Sequence, residues 1–116
     1  MNLTDESLQK YVGGQLEIQN PKERYIYRGE VSEVSIVNEI LRVKFSWLTK
    51  AEEFPSPVRW TDIERKLYEV SLLIANSLDI GEGRVAISTG VIHNELLIFF
   101  PPDGSKPEPT TSRVWL

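Results

Sequence analysis

Between residues 41 and 47 the chain runs Leu41-Arg42-Val43-Lys44-Phe45-Ser46-Trp47, alternating apolar and polar without a break. A hydrophobic period of two is the signature of a β-strand with one dry face and one wet face. On this pattern Trp47 continues the buried face of Leu41, Val43 and Phe45. Gln15-Leu16-Glu17-Ile18-Gln19 alternates in the same way, and Asn20-Pro21-Lys22-Glu23 ends it as a hairpin turn. From Arg24 to Val37 the chain is rich in Tyr, Ile and Val, but Tyr25 and Tyr27 share one face while Val34 and Ile36 share another. Gly29 lies between the two stretches and predicts a bulge or bend there, of the kind that lets one long strand serve two sides of a small barrel. Asn38-Glu39 predicts a tight turn into the Leu41–Trp47 strand.

Elsewhere the pattern changes. Thr4-Asp5-Glu6-Ser7 offers a helix cap, Leu8, Tyr11 and Val12 fall on one helical face, and Gly13-Gly14 supplies an exit, so a short N-terminal helix is expected. Glu52, Glu53, Pro55 and Pro57 make Thr49–Arg59 an excursion loop, with Trp60 pinning its far end to the core. Residues 61–80 carry two competing patterns. Thr61-Asp62-Ile63-Glu64 fits a capping box and Ile63, Leu67, Val70 and Ile74 have helical spacing, whereas Tyr68, Val70, Leu72 and Ile74 alternate as in a strand. A helical turn over 61–66 followed by a strand over about 67–76 is the preferred assignment. Turn signals at Asp79–Gly83 and around Gly90 and His93-Asn94 then separate two more strands, Arg84–Ser88 and Glu95–Phe100, and Pro101-Pro102 stops the last.

These elements predict a mainly β fold: a five- to six-stranded antiparallel barrel over residues 1–102, SH3-like or Tudor-like in first place and OB-like in second. A Pro-rich extended or disordered tail is expected over 103–116, where Pro107 and Pro109 favour a polyproline conformation and Trp115-Leu116 forms an apolar tip able to dock on its own barrel or on a second copy.

Composition narrows the chemistry. The 116 residues, 41% hydrophobic and 26% charged, fit one globular core, and the absence of cysteine removes disulfides, zinc–thiolate sites and thiol nucleophiles while suiting a reducing compartment. No basic, apolar leader opens the sequence and no apolar run is long enough to span a bilayer, so a cytoplasmic protein with no membrane partner is expected. The net charge of -4 gives the molecule no general attraction for phosphate backbones. Residues 21–50 are mildly basic and residues 51–83 acidic.

No catalytic constellation is apparent. His93 is the only histidine and has no evident nucleophile or carboxylate partner. One histidine without cysteine leaves only oxygen ligands to complete a metal site, and Gly81-Glu82-Gly83 lacks the remaining glycines or the Gly-Lys-Ser/Thr ending of a phosphate cradle. The expectation is a non-enzymatic chain without cofactor or metal. The aromatic set Tyr25, Tyr27, Trp47, Trp60 and Tyr68 is the feature with functional content, because aromatic rings at the open end of a small barrel can cage a cationic side chain or serve as a platform for a peptide or base. Arg42 and Lys44 share the wet face of their strand, and Arg24 and Arg28 extend it. Tyr25, Tyr27, Arg42, Lys44, Trp47 and Trp60 are therefore the expected binding residues, for a protein or peptide partner first and a nucleic acid second.

Tyr27-Arg28-Gly29-Glu30-Val31, Val43-Lys44-Phe45-Ser46-Trp47-Leu48, Asp79-Ile80-Gly81-Glu82-Gly83-Arg84 and Phe100-Pro101-Pro102-Asp103-Gly104-Ser105-Lys106 together resemble a group of small hypothetical proteins of candidate-phylum bacteria. The resemblance covers most of the chain and implies a bacterial, cytoplasmic origin. It implies no activity and no site residues.

Overall fold

The computed structural model describes residues 4–52, 59–89 and 95–103. His93, the Pro55/Pro57 stretch and the tail beyond Asp103, with its proposed docking tip, lie outside the described residues.

Strands β1 (Gln15–Asn20), β2 (Tyr25–Val37), β3 (Ile40–Ala51), β4 (Thr61–Asp62), β5 (Leu67–Ser71), β6 (Asn76–Gly81), β7 (Arg84–Ser88) and β8 (Leu96–Phe100) form one antiparallel sheet in the order β4-β3-β2-β1-β8-β7-β6, with β5 also paired to β3. Among the described residues the only helical structure is α1 (Asp5–Leu8) and the 3-10 turn Gln9–Tyr11 that follows it. Two expectations change here. The described strands number eight rather than five or six, and no ladder joins β6 to β4 or β5, so the sheet is not closed into a barrel.

Three further assignments also change. Residues 61–66 contain the two-residue strand β4 and a bend instead of a helical turn, because Ile63 N–H bonds the Leu48 carbonyl and Phe45 N–H bonds the Lys66 carbonyl, which holds this segment against β3. The strand after it stops at Ser71 rather than running to about 76, and a separate strand begins at Asn76. β3 itself runs on to Ala51, paired with Ile26, inside the stretch assigned to a loop.

Where local chemistry is decisive, the sequence signals hold. Thr4 and Ser7 form a reciprocal capping box that starts α1. Asn38 and Glu39 both take positive φ, 51° and 63°, as a two-residue turn matched to strand twist requires. The ladder between β2 and β3 shifts register at Glu30/Val31 and Val31/Glu33, directly after Gly29. A Cβ on Gly29 would lie 2.4 Å from Phe45 Cδ1, so only glycine allows the bent strand to close over that ring.

Residues paired across a ladder share a face. The inner face carries Leu16, Ile18, Leu41, Val43, Phe45, Leu48, Val85, Ile87, Leu97 and Phe99, joined by Leu8 and Tyr11 from the N-terminal helical segment, in one core. Tyr11 stacks at 5.3 Å on Phe99 and its hydroxyl donates to the Gly83 carbonyl, tying the N-terminus to the β6–β7 turn. The shift in register corrects the expectation for Trp47. Because Val31 pairs with Phe45 and Glu30 with Trp47, Ser46 is bulged out and Trp47 falls on the outer face, 39% exposed, while Leu48 takes the core position.

Candidate functional site

Asn20, Tyr25 and Glu95 are brought together where β1 ends. Gln19 pairs with Ile26 on one side and with Leu96 on the other, so the next residue, Asn20, is flanked by Tyr25 and by Glu95. Glu95 is fixed by its backbone: its N–H donates to Thr89 Oγ1, and its carbonyl accepts from the Thr89 N–H and hydroxyl. That clasp closes the base of the β7–β8 connection and points the carboxyl group inward, in phase with Leu97 and Phe99.

Two phenols converge on this carboxylate. The Tyr25 hydroxyl donates to Glu95 Oε2 at 2.5 Å, and the Tyr68 hydroxyl, from β5, donates to Oε1 at 2.6 Å. Asn20 Nδ2 donates in turn to the Tyr25 oxygen at 3.2 Å. Glu95 is only 8% exposed, and both tyrosines are held protonated well above their ordinary value, first by burial and then by the bond to the carboxylate. Tyr27 meets Tyr25 edge to face at 5.2 Å, and the Lys50 ammonium sits 4.9 Å from the Tyr25 ring centroid and 5.4 Å from that of Tyr27. The group lines a cavity of about 350 Å³ whose walls include Ile18, Leu48 and Ile63, with exposed Arg65 among its lining residues.

The six residues expected to bind do not form one surface. Tyr25 and Tyr27 line the cavity. Arg42 and Lys44 project from the outer face, and the ladders place a carboxylate beside each: Arg42 pairs with Glu69 at 3.6 Å and Lys44 with Glu33 at 3.1 Å. That face therefore alternates in charge. Trp60 packs on Ile26 and Ala51 on the outer side of the sheet, and the Arg28 guanidinium lies 4.9 Å from its ring. Arg28, grouped in the sequence with the wet basic residues, is only 6% exposed and faces Glu17 at 3.9 Å.

Glu95 and Tyr68 complete the cavity, and the sequence marks them weakly. Tyr68 stood in the aromatic set, but its strand was contested by a helical pattern. Glu95 heads the run Leu96-Leu97-Ile98-Phe99-Phe100, whose uniform hydrophobicity hides which residues face inward. The one available signal is a lone charge placed two residues before Leu97 and four before Phe99.

Among the described residues no cluster of three or more His, Cys, Asp or Glu side chains is placed to hold a metal ion, and no helix is long and apolar enough to cross a membrane. No protein-family model, no curated protein and no solved structure matches the chain.

Proposed function

We propose that this chain is a non-catalytic interaction module that receives a protein or peptide segment at the cavity lined by Tyr25, Tyr27, Tyr68 and Glu95. The observation that carries this function is the convergence of two tyrosine hydroxyls on one buried carboxylate at the wall of a cavity of about 350 Å³. Concave sites with an apolar lining and a few fixed polar groups are suited to receiving a side chain. The carboxylate is engaged by both phenols and the tyrosines keep their protons, which supports binding over bond-making chemistry.

A nucleic acid is the weaker alternative. It would draw on Arg42 and Lys44, and both meet a carboxylate across the ladder, so little unopposed positive charge is left for a phosphate backbone. The proposal extends to kinship with SH3-like or Tudor-like domains, supported by the bent β2–β3 hairpin, and to a bacterial cytoplasmic setting, supported by the resemblance above and by a cysteine-free chain.

Selection from a displayed library of random peptides tests the proposal, with the wild-type protein and Tyr27→Ala as baits. Tyr27 is half-buried and makes no bond to Glu95, so its truncation leaves the carboxylate cluster in place. Enrichment of a peptide motif by the wild type and its loss with Tyr27→Ala is the expected result. No enrichment, or enrichment that Tyr27→Ala leaves intact, would overturn the proposal.

A further inference from the structure

We infer that the cavity selects a guanidinium, the side chain of an arginine in the bound peptide, with Glu95 as its counter-ion. The inference rests on the binding function proposed above and supplies its ligand chemistry.

Among the described residues two acidic side chains are buried, and they differ in what neutralises them. Glu17 has the Arg28 guanidinium at 3.9 Å. Glu95 has only neutral donors, the hydroxyls of Tyr25 and Tyr68, and no cation lies within ion-pair distance of it among the described residues. A carboxylate held out of water without a compensating charge retains its attraction for a cation, and low dielectric surroundings strengthen that attraction. Lys50 reaches the cluster through the face of the Tyr25 ring.

Geometry then favours a guanidinium. Each carboxylate oxygen can accept more than one hydrogen bond. Tyr25 occupies one position on Oε2 and Tyr68 one on Oε1, which leaves one position on each oxygen. Two parallel donors in a fixed fork match that pair of vacancies, and a planar, weakly hydrated cation also stacks on tyrosine faces. A single ammonium does not span both oxygens in the same way. Exposed Arg65 is an opposing charge at this cavity, so it weakens the attraction for a cationic ligand.

The test uses an acetylated, amidated peptide with one central arginine, its citrulline counterpart and its lysine counterpart, titrated by calorimetry and by the ring resonances of Tyr25, Tyr27 and Tyr68. Citrulline keeps the shape and removes the charge. The arginine peptide should bind at least about tenfold more tightly than the citrulline peptide, the scale set by a lost charge-assisted contact. Glu95→Gln should remove that preference, and Arg65→Ala should strengthen arginine binding, a change that does not touch the buried cluster and so remains readable if Glu95→Gln folds poorly. Equal binding of arginine and citrulline peptides at a Tyr27-dependent site would overturn the guanidinium assignment and leave the interaction module standing. A preference for lysine over arginine would also overturn it. If neither these peptides nor any library peptide binds, both fail.

Discussion

Glu17 and Glu95 lie on opposite faces of one sheet, almost equally withdrawn from water, yet their surroundings differ in kind. Glu17 projects outward from the middle of β1, takes the Gln19 amide at 2.6 Å and faces Arg28, its cross-strand partner, whose guanidinium is itself stacked on Trp60. Its charge is matched within the fold. Glu95 stands at the head of β8, bonded by two phenols, beside a cavity. Hydrogen bonds reach both of its oxygens, but among the described residues no cation pairs with it. A buried ion that is both bonded and neutralised belongs to the architecture, whereas one that is bonded but not neutralised retains a demand for a cation.

The contrast breaks most sharply at Arg28. Arg28→Met should strand the Glu17 charge and destabilise the protein by about 3–5 kcal/mol in urea unfolding, while the double change Glu17→Leu with Arg28→Met should recover most of that loss. If the double variant is as unstable as the single one, Glu17 is not held by its cation and the contrast with Glu95 fails. Next in size is Tyr68→Phe, which removes one donor from Glu95 and should cost about 1.5–3 kcal/mol, the range for a hydrogen bond to a charged group. Combined with Tyr25→Phe, the loss should exceed the sum of the separate effects, because the second deletion leaves the carboxylate with neither hydroxyl.

Alkaline pH sharpens the same point. Tyr25 and Tyr68 ionise in the folded protein only above the 10.0 of a free tyrosine. Once pH passes 10 the unfolded chain releases these protons and the folded chain retains them, so unfolding is favoured as pH rises. Below pH 10 the contribution of the two phenols is fully present, and above it the stability falls. Urea midpoints at pH 9 and pH 11 should differ more for the wild type than for Tyr68→Phe, and identical differences would remove Glu95 and its phenols from the account. The smallest effect is expected at Lys44→Ala, which breaks an exposed pair with Glu33 worth about 0–1 kcal/mol and reduced by salt. A loss comparable to that of Arg28→Met would mean that exposure does not separate the outer-face pairs from the buried one.

The sequence by itself determined most of the β content and several local turns. Alternation in the first half of β3 identified its buried residues, and in β1 it found Leu16 and Ile18 but not the burial of Glu17 and Gln19 on the other face. The Thr4–Ser7 cap began the helix and Asn38-Glu39 placed the hairpin, because these signals depend on side chains only a few positions apart. Gly29 signalled the bend, but not its outcome at Trp47. The bulge that turns Trp47 outward is a property of two paired strands, and a strict period of two in one of them cannot reveal it. Open closure was equally hidden, since which edges pair is settled by distant partners. The aromatic set held Tyr25, Tyr27 and Tyr68 but not the carboxylate that joins Tyr25 to Tyr68. Glu95 lies 70 positions from Tyr25 and 27 from Tyr68, and only the ladder order β2-β1-β8, together with the packing of β5, brings the three groups within hydrogen-bond reach. The sequence likewise grouped Arg28 with the wet basic residues, while the tertiary structure sets it against Glu17 on a buried face. Local signals specify which backbone conformation a segment prefers. The partner of a buried charge is chosen by register between strands far apart in the chain, and that choice is made only when the sheet forms.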